Sequence, residues 1–189
     1  ILNGAWKYSP EELVFQLIDF KDGLASSAYA DDRCKIPHIK VVSRKNKQEE
    51  AEIILSGILA EKELRALKCS KKGVGNIAAY NRKSLEKMPR LVVIIDECQH
   101  LFDDDYLSKM SEQIVREGRA MGIHLVLATQ TVTSKMMKTI AFVNGRYCFQ
   151  TSSDAELGDL IGKEYKSRFN EVEKSTHLVF AKDWKDGGK

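Results

Sequence analysis

The sequence has 189 residues, of which 43% are hydrophobic, and carries a net charge of +3 from 30 basic and 27 acidic side chains. This size and composition predict one soluble globular domain, or one domain that lacks a piece. The four cysteines are widely spaced without a Cys-x-x-Cys pair, which argues against zinc and a disulfide framework. No stretch approaches the roughly 20 apolar residues that cross a bilayer. A balanced charge neither requires nor excludes a nucleic-acid partner.

Alternating strand and helix patterns predict an α/β domain over residues 1–181, with a frayed tail at 182–189. In chain order we predict a helix tail (1–7), a strand (14–19), a short strand (39–43), a long amphipathic helix (48–69), a shorter helix (77–85), a buried strand (91–97), a polar crossover (98–105), a long helix (106–121), a strand (124–130), a helix (134–141), a strand (145–150), a helix (154–161) and a last strand (177–181). This alternation is typical of a mainly parallel sheet with right-handed crossovers.

Three of these strands end in polar residues. The pairs are Asp19 with Lys21, Asp96 with Glu97, and Thr129 with Gln130. Because open α/β sheets bind ligands at the carboxyl ends of their strands, these side chains form a candidate site for nucleotide hydrolysis. One carboxylate can hold Mg²⁺, the next can polarise the attacking water, and the amide can sense a γ-phosphate. Taken singly, each has an ordinary alternative explanation. Asp96 and Glu97 could form an acidic turn after a strand, and Gln130 could be a polar residue at a strand end.

The sequence LVVIIDE (91–97), followed by a helix and then EGRAMGIHLVLATQ (117–130), resembles the FtsK/SpoIIIE family of hexameric DNA-translocating ATPases. YSPEELVFQLIDFKDG (8–23), IPHI (36–39) and GVGNIAAYN (73–81) resemble further family segments in the same order. The resemblance implies a three-layer αβα RecA-like P-loop NTPase fold that uses ATP and Mg²⁺. By position it implies that Asp96 is the Walker B metal carboxylate, Glu97 the catalytic glutamate and Gln130 the sensor.

The phosphate-binding sequence of that family, G-x-x-x-x-G-K-[ST], does not occur in the chain. Residues 71–76 contain glycines but lack the following Lys-Ser/Thr and lie between two predicted helices. The resemblance places the P-loop before Ile1, so the domain is expected to be N-terminally incomplete, with a gap at a normally central strand. We therefore predict that this chain alone neither binds ATP tightly nor hydrolyses it.

Further candidate residues depend on the resemblance. Such ATPases use an arginine supplied in trans, for which Arg65, Arg119 and Arg44 are candidates, each with an ordinary surface arginine as the alternative. Lys135, Lys138 and Arg146 are candidates for contacts with DNA phosphates in a ring pore, although their spacing does not demand it.

The resemblance implies a homo-oligomeric ring that hydrolyses ATP at subunit interfaces and moves DNA, bound through its backbone with little sequence preference. Cys98-Gln99-His100 and the TVTSKMMKTI stretch (131–140) depart from the chromosome pumps and favour divergent relatives. Protein cargo, as in type VII secretion ATPases, is therefore one alternative. A non-catalytic structural or regulatory relative is another, favoured by the missing P-loop. The expected location is the cytoplasm, with a membrane tether outside this chain left open.

Overall fold

A computed structural model of the chain describes residues 1–21, 28–29, 31, 35–43, 47–143, 145–148 and 180–182. The chain forms two compact units, residues 1–130 and 131–189. A single domain over residues 1–181 stays a prediction. The predicted helix at 154–161 and the tail at 183–189 lie outside the described residues, as does most of the predicted strand at 177–181.

The first unit contains most of the predicted elements, with boundaries shifted by a few residues. They are α1 (Leu2–Lys7), β1 (Leu13–Asp19), β2 (Ile39–Val42), α2 (Lys47–Lys71), α3 (Ile77–Lys83), β3 (Arg90–Asp96), α4 (Gln99–Phe102), α5 (Asp105–Glu117), a 3₁₀ turn (Arg119–Met121) and β4 (Ile123–Leu127). Two expectations were wrong. The crossover after β3 contains a helical turn, because Leu101 and Phe102 are buried there. The helix that follows ends at Glu117, four residues early, and a 3₁₀ turn continues to Met121.

Four parallel strands form one sheet in the order β2-β1-β3-β4. Asp19 lies opposite Asp96, and Ile95 lies opposite Leu127, so β1, β3 and β4 end at the same edge. This arrangement confirms the predicted parallel sheet. The expected gap is absent from these four strands, because β3 pairs directly with β1 on one side and with β4 on the other.

Helices cover both faces of this sheet. α2 and α5 pack against each other, and they contact β1 and β4 respectively. Leu91, Val93 and Ile95 of β3 are buried, whereas Val92 and Ile94, which point the other way, are half-buried. On that second face α1 lies close to β1, since a Cβ added to Gly4 would be 3.0 Å from both Leu13 and Phe15. This layering confirms the predicted αβα fold.

Two buried cations join the helices to one another and to the amino edge of the sheet. The guanidinium of Arg65, on α2, donates to the carbonyl oxygens of Pro89 (2.7 Å) and Met121 (2.9 Å), which precede β3 and β4. Lys62, one turn earlier, donates to Glu117 of α5. α2 is therefore fixed to both the sheet and α5.

The second unit contains a 3₁₀ turn (Ser134–Met136), α6 (Met137–Ile140), β5 (Arg146–Cys148) and β6 (Phe180–Lys182). β5 and β6, near the strands predicted at 145–150 and 177–181, pair antiparallel in a sheet of their own. β5 is three residues long and has Tyr147 exposed, unlike the long apolar strands of a parallel sheet covered on both faces. Among the described helices of both units, none is long and apolar enough to span a membrane.

Candidate active site at the carboxyl edge of the sheet

The chain turns sharply where β3 ends. Glu97 has a φ of +49°, in the left-handed region that residues other than glycine rarely adopt, at a cost of about 1–2 kcal/mol. The amide of Cys98 donates to the carbonyl of Ala128 at 2.9 Å, and the amide of Ala128 donates to the carbonyl of Ile95, also at 2.9 Å. These bonds hold the turn against the end of β4. The strained backbone therefore directs the Glu97 side chain into the site.

Glu97 is 5% exposed, and its carboxylate accepts three hydrogen bonds. Oε1 accepts from Nε2 of Gln130 at 2.5 Å and from Nζ of Lys21 at 3.3 Å. Oε2 accepts from Nε2 of Gln99 at 2.8 Å. Because Lys21 follows β1 and Gln130 follows β4, the carboxylate links the ends of three neighbouring strands.

These partners also determine the charge of Glu97. The hydrogen bond from Gln99 lowers the pKa of the carboxyl group most, and Lys21 lowers it further through its hydrogen bond and charge, while burial acts in the opposite direction. The carboxylate is thus ionised at neutral pH. An ionised carboxylate is the form that can accept a proton from water.

Gln99 was not among the sequence-predicted site residues. Its Oε1 accepts a hydrogen bond from the hydroxyl of Thr129 at 2.6 Å, while its Nε2 donates to Glu97. The sequence did hold a signal, a polar residue two positions after Glu97 where the family commonly has an apolar or small one. This departure favours divergent relatives, but on its own it does not predict a contact with Glu97.

Asp96 lies beside Glu97 and is half-buried. Its Oδ1 accepts from the amide of Glu97 at 3.0 Å, and its main-chain carbonyl accepts from the amide of Phe20 at 3.3 Å. Nearby, Oδ1 of Asp19 accepts from the amide of Lys21 at 2.9 Å. The described residues contain no group of three or more histidine, cysteine or carboxylate side chains that could enclose a metal. A single carboxylate nevertheless fits Mg²⁺, which in nucleotide sites takes one or two protein carboxylates and completes its shell with phosphates and water.

Cys98 lies between these groups but is no nucleophile. The residue is fully buried, and burial raises the pKa of its thiol to about 12, with Asp96 and Glu97 adding to the rise. The thiol is therefore protonated at neutral pH.

Two of the three arginine candidates lie among the described residues, and both are away from this edge. Arg65 is 3% exposed and lies at the amino end of β3, roughly 20 Å along the strand from Glu97. Its hydrogen bonds give it a structural role in this chain, and its candidacy as the trans-acting arginine stays a prediction. Arg119 is exposed but also precedes β4, at the amino edge. Arg44 lies outside the described residues.

The candidates for DNA contacts lie in the second unit. Lys135 and Lys138 are exposed. Arg146 is half-buried and donates to the carbonyls of Ile140 (2.7 Å) and Val143 (3.3 Å), at the end of α6. The two lysines thus present free surface charge, whereas Arg146 supports the local fold.

No model of a known protein family matches the chain. Two relatives are the ESX-5 secretion system protein EccC5 of Mycobacterium marinum, 31% identical over 143 residues (69% of this chain, 10% of the relative), and the DNA translocase FtsK of Rickettsia typhi, 28% identical over 203 positions (87% and 26%). The chain therefore spans about a tenth to a quarter of the length of these relatives.

Solved structures share the fold. The cytoplasmic domain of the Thermomonospora curvata type VII secretion ATPase EccC superposes with a TM-score of 0.76 at 22% identity, covering 96% of this chain and 22% of that one. The pCW3 conjugation coupling protein TcpA with ATPγS superposes with a TM-score of 0.69 at 21% identity, covering 84% and 46%. The likeness to FtsK and to the secretion ATPases, together with this fold, shows that the chain belongs to the FtsK/SpoIIIE-type family of P-loop ATPase domains.

Proposed function

We propose that this chain is part of a motor domain that hydrolyses ATP to move a polymer, with Glu97 as general base, Gln130 as sensor and Asp96 as the Mg²⁺ ligand. The observation that carries the proposal is the 2.5 Å contact between Gln130 and Glu97. It joins the two residues that hydrolysis needs, one to take the proton of water and one to report on the phosphate. A relic that no longer hydrolyses ATP has no use for that pairing.

The hydrogen bonds of Glu97 leave room for a substrate water. A carboxylate has about four lone-pair directions. Two donors occupy Oε1 and one occupies Oε2, so one direction on Oε2 stays open. An attacking water bonded there would pass its proton to Glu97, while the Gln130 amide orients the water or the phosphate. Mg²⁺ on Asp96 would supply charge neutralisation at the phosphate oxygens.

The proposed reaction also needs a phosphate cradle. The 189 residues contain no G-x-x-x-x-G-K-[ST], so the cradle has to come from residues outside them, on the same polypeptide or on a partner. A ring in which neighbouring subunits complete each site is part of the proposal.

DNA is the proposed cargo, supported by the likeness to FtsK over 87% of the chain and by the exposed Lys135 and Lys138. Protein is the second candidate. It is favoured by the higher identity, 31%, to the secretion proteins EccC5 and EssC. Duplex DNA binding that weakens steeply with salt supports the first candidate, whereas binding of a folded protein substrate without DNA binding supports the second.

The direct test is Glu97→Gln in the full-length protein that contains this chain. We expect ATP turnover to fall by a factor on the order of 10² to 10⁴, because the amide cannot accept the proton. Glu52→Gln, on the exposed side of α2, is the matched control and should leave turnover unchanged. Wild-type turnover in Glu97→Gln would refute the proposal. The isolated 189-residue chain should show no Mg²⁺-dependent turnover.

A further inference from the structure

We propose that Gln99 is a positioning residue that holds Glu97 in its reactive orientation and connects it to Thr129 at the end of β4. This inference rests on the proposed role of Glu97. Its basis is a chain of two hydrogen bonds, 2.6 Å from Thr129 to Gln99 and 2.8 Å from Gln99 to Glu97.

The direction of this hydrogen-bond chain is fixed by chemistry. An ionised carboxylate only accepts, so Gln99 has to turn its NH₂ group to Glu97 and its oxygen to Thr129. The Thr129 hydroxyl then donates to that oxygen. A side chain without both a donor and an acceptor at its end cannot replace Gln99.

The backbone that carries Gln99 is firmly held. Gln99 is the first residue of α4, where the amide of His100 donates to the carbonyl of Glu97 (3.2 Å) and the amide of Leu101 donates to that of Cys98 (3.0 Å). Leu101 and Phe102 anchor the same turn in the core, at 0% and 1% exposure. Gln99 therefore approaches Glu97 from a rigid element.

Gln130 differs in this respect. β4 ends at Leu127, and Gln130 follows it in a bend. As the sensor, Gln130 has to exchange its bond to Glu97 for one to the phosphate or the water. When it does, Oε1 loses its shorter bond, and Gln99 on Oε2 keeps the carboxylate from rotating. In this proposal Gln99 keeps the Glu97 carboxylate in place, and Gln130 contacts the phosphate or the water.

The test compares Gln99→Met with wild type in the full-length protein, because methionine keeps the length of the side chain but forms neither bond. We expect kcat to fall by a factor on the order of 10 to 100, the scale of a misplaced catalytic group, with the KM for ATP within about 2-fold. Gln48→Met, exposed at the start of α2, is the matched control and should change neither. Thr129→Val should give a smaller loss in the same direction.

A double-mutant cycle separates positioning from a structural role. If Gln99 acts through Glu97, adding Gln99→Met to Glu97→Gln should cost nothing further in single-turnover hydrolysis. Three outcomes would overturn the inference. Gln99→Met could lower the hydrolysis rate by the same factor in the wild-type and in the Glu97→Gln protein. It could lower kcat together with the melting temperature, or it could leave kcat unchanged. If Glu97→Gln itself retains full turnover, the proposed function fails, and this inference fails with it.

Discussion

Replacing Arg65 is expected to destabilise the first unit strongly. The guanidinium is almost fully buried and donates to the main-chain carbonyls of Pro89 and Met121, which precede β3 and β4. Arg65→Ala removes both bonds and leaves a cavity. At about 1–3 kcal/mol for each unsatisfied carbonyl, the loss is about 2–6 kcal/mol before the cavity is counted. The Glu61 partner adds little, because its side chain is 43% exposed and solvent screens the pair.

The assay is urea unfolding of the 189-residue chain, followed by circular dichroism. Since small domains are stable by only about 5–15 kcal/mol, the urea concentration at which half of the Arg65→Ala protein is unfolded should fall markedly below that of the wild type. Arg65→Lys should recover only part, because both carbonyls accept from Nη1 of Arg65, which lies one bond farther along the side chain than a lysine ammonium, and the Nε bond to Glu61 is lost. Arg119→Ala, exposed at the same edge, serves as the control and should change stability by less than about 0.5 kcal/mol.

The result that would refute this reasoning is an Arg65→Ala protein within about 1 kcal/mol of wild type, below the least that two unsatisfied carbonyls should cost. If that variant also lost ATP turnover in the full-length protein, the trans-acting role would regain support. Loss of stability in the isolated chain assigns Arg65 to the fold instead.

Three further predictions use the same chain or its parent protein. Gly122→Ala should lower the free energy of unfolding by more than about 1 kcal/mol, because Gly122 has a φ of +70° and an added Cβ would lie 2.1 Å from Cδ1 of Ile77. Gly57→Ala should instead raise it by about 0.5–1 kcal/mol, because the added Cβ meets nothing within 4 Å. Cys98 and Cys69 should resist iodoacetamide in the native protein and react in urea, because burial raises the pKa of both thiols, as peptide mass mapping can show. If DNA is the cargo, Lys135→Gln with Lys138→Gln should lower the salt dependence of DNA binding by about two counterions, measured by titration at several salt concentrations.

Each of these has an outcome that contradicts it. Equal stability of Gly122→Ala and Gly57→Ala would mean that the turn before β4 relaxes at no cost. Labelling of Cys98 in the native state would mean that the turn after β3 opens to solvent. An unchanged salt slope in the double lysine variant would remove Lys135 and Lys138 from the DNA-contacting surface.

Sequence patterns predicted β3 well because its apolar run leaves few alternatives, and the polar strand ends followed from the parallel topology. The contacts of Glu97 were only partly predictable. Gln130 was predicted because it follows the apolar run of β4, but Gln99 lies in a stretch that looks like a polar loop. Its helical turn depends on burial of Leu101 and Phe102 against distant residues, which no local pattern shows.

Arg65 illustrates a second limit. On an amphipathic helix an arginine is normally a surface residue, and its sequence neighbours give no sign that two carbonyls from other elements need donors. That need arises only when the entrances to β3 and β4 come together beneath α2. Strands were predicted near β5 and β6, but strands of three residues carry no signal that they pair antiparallel with each other.

The position of β4 has a practical consequence for work with this stretch of the protein. In the described sheet β4 pairs only with β3, so one row of its main-chain amides and carbonyls has no strand partner there, and Val126 is 47% exposed. An unpaired strand with apolar side chains is a template for intermolecular pairing. The chain produced alone is therefore expected to aggregate at high concentration, and a charged residue in place of Val126 is the first change to make for solubility.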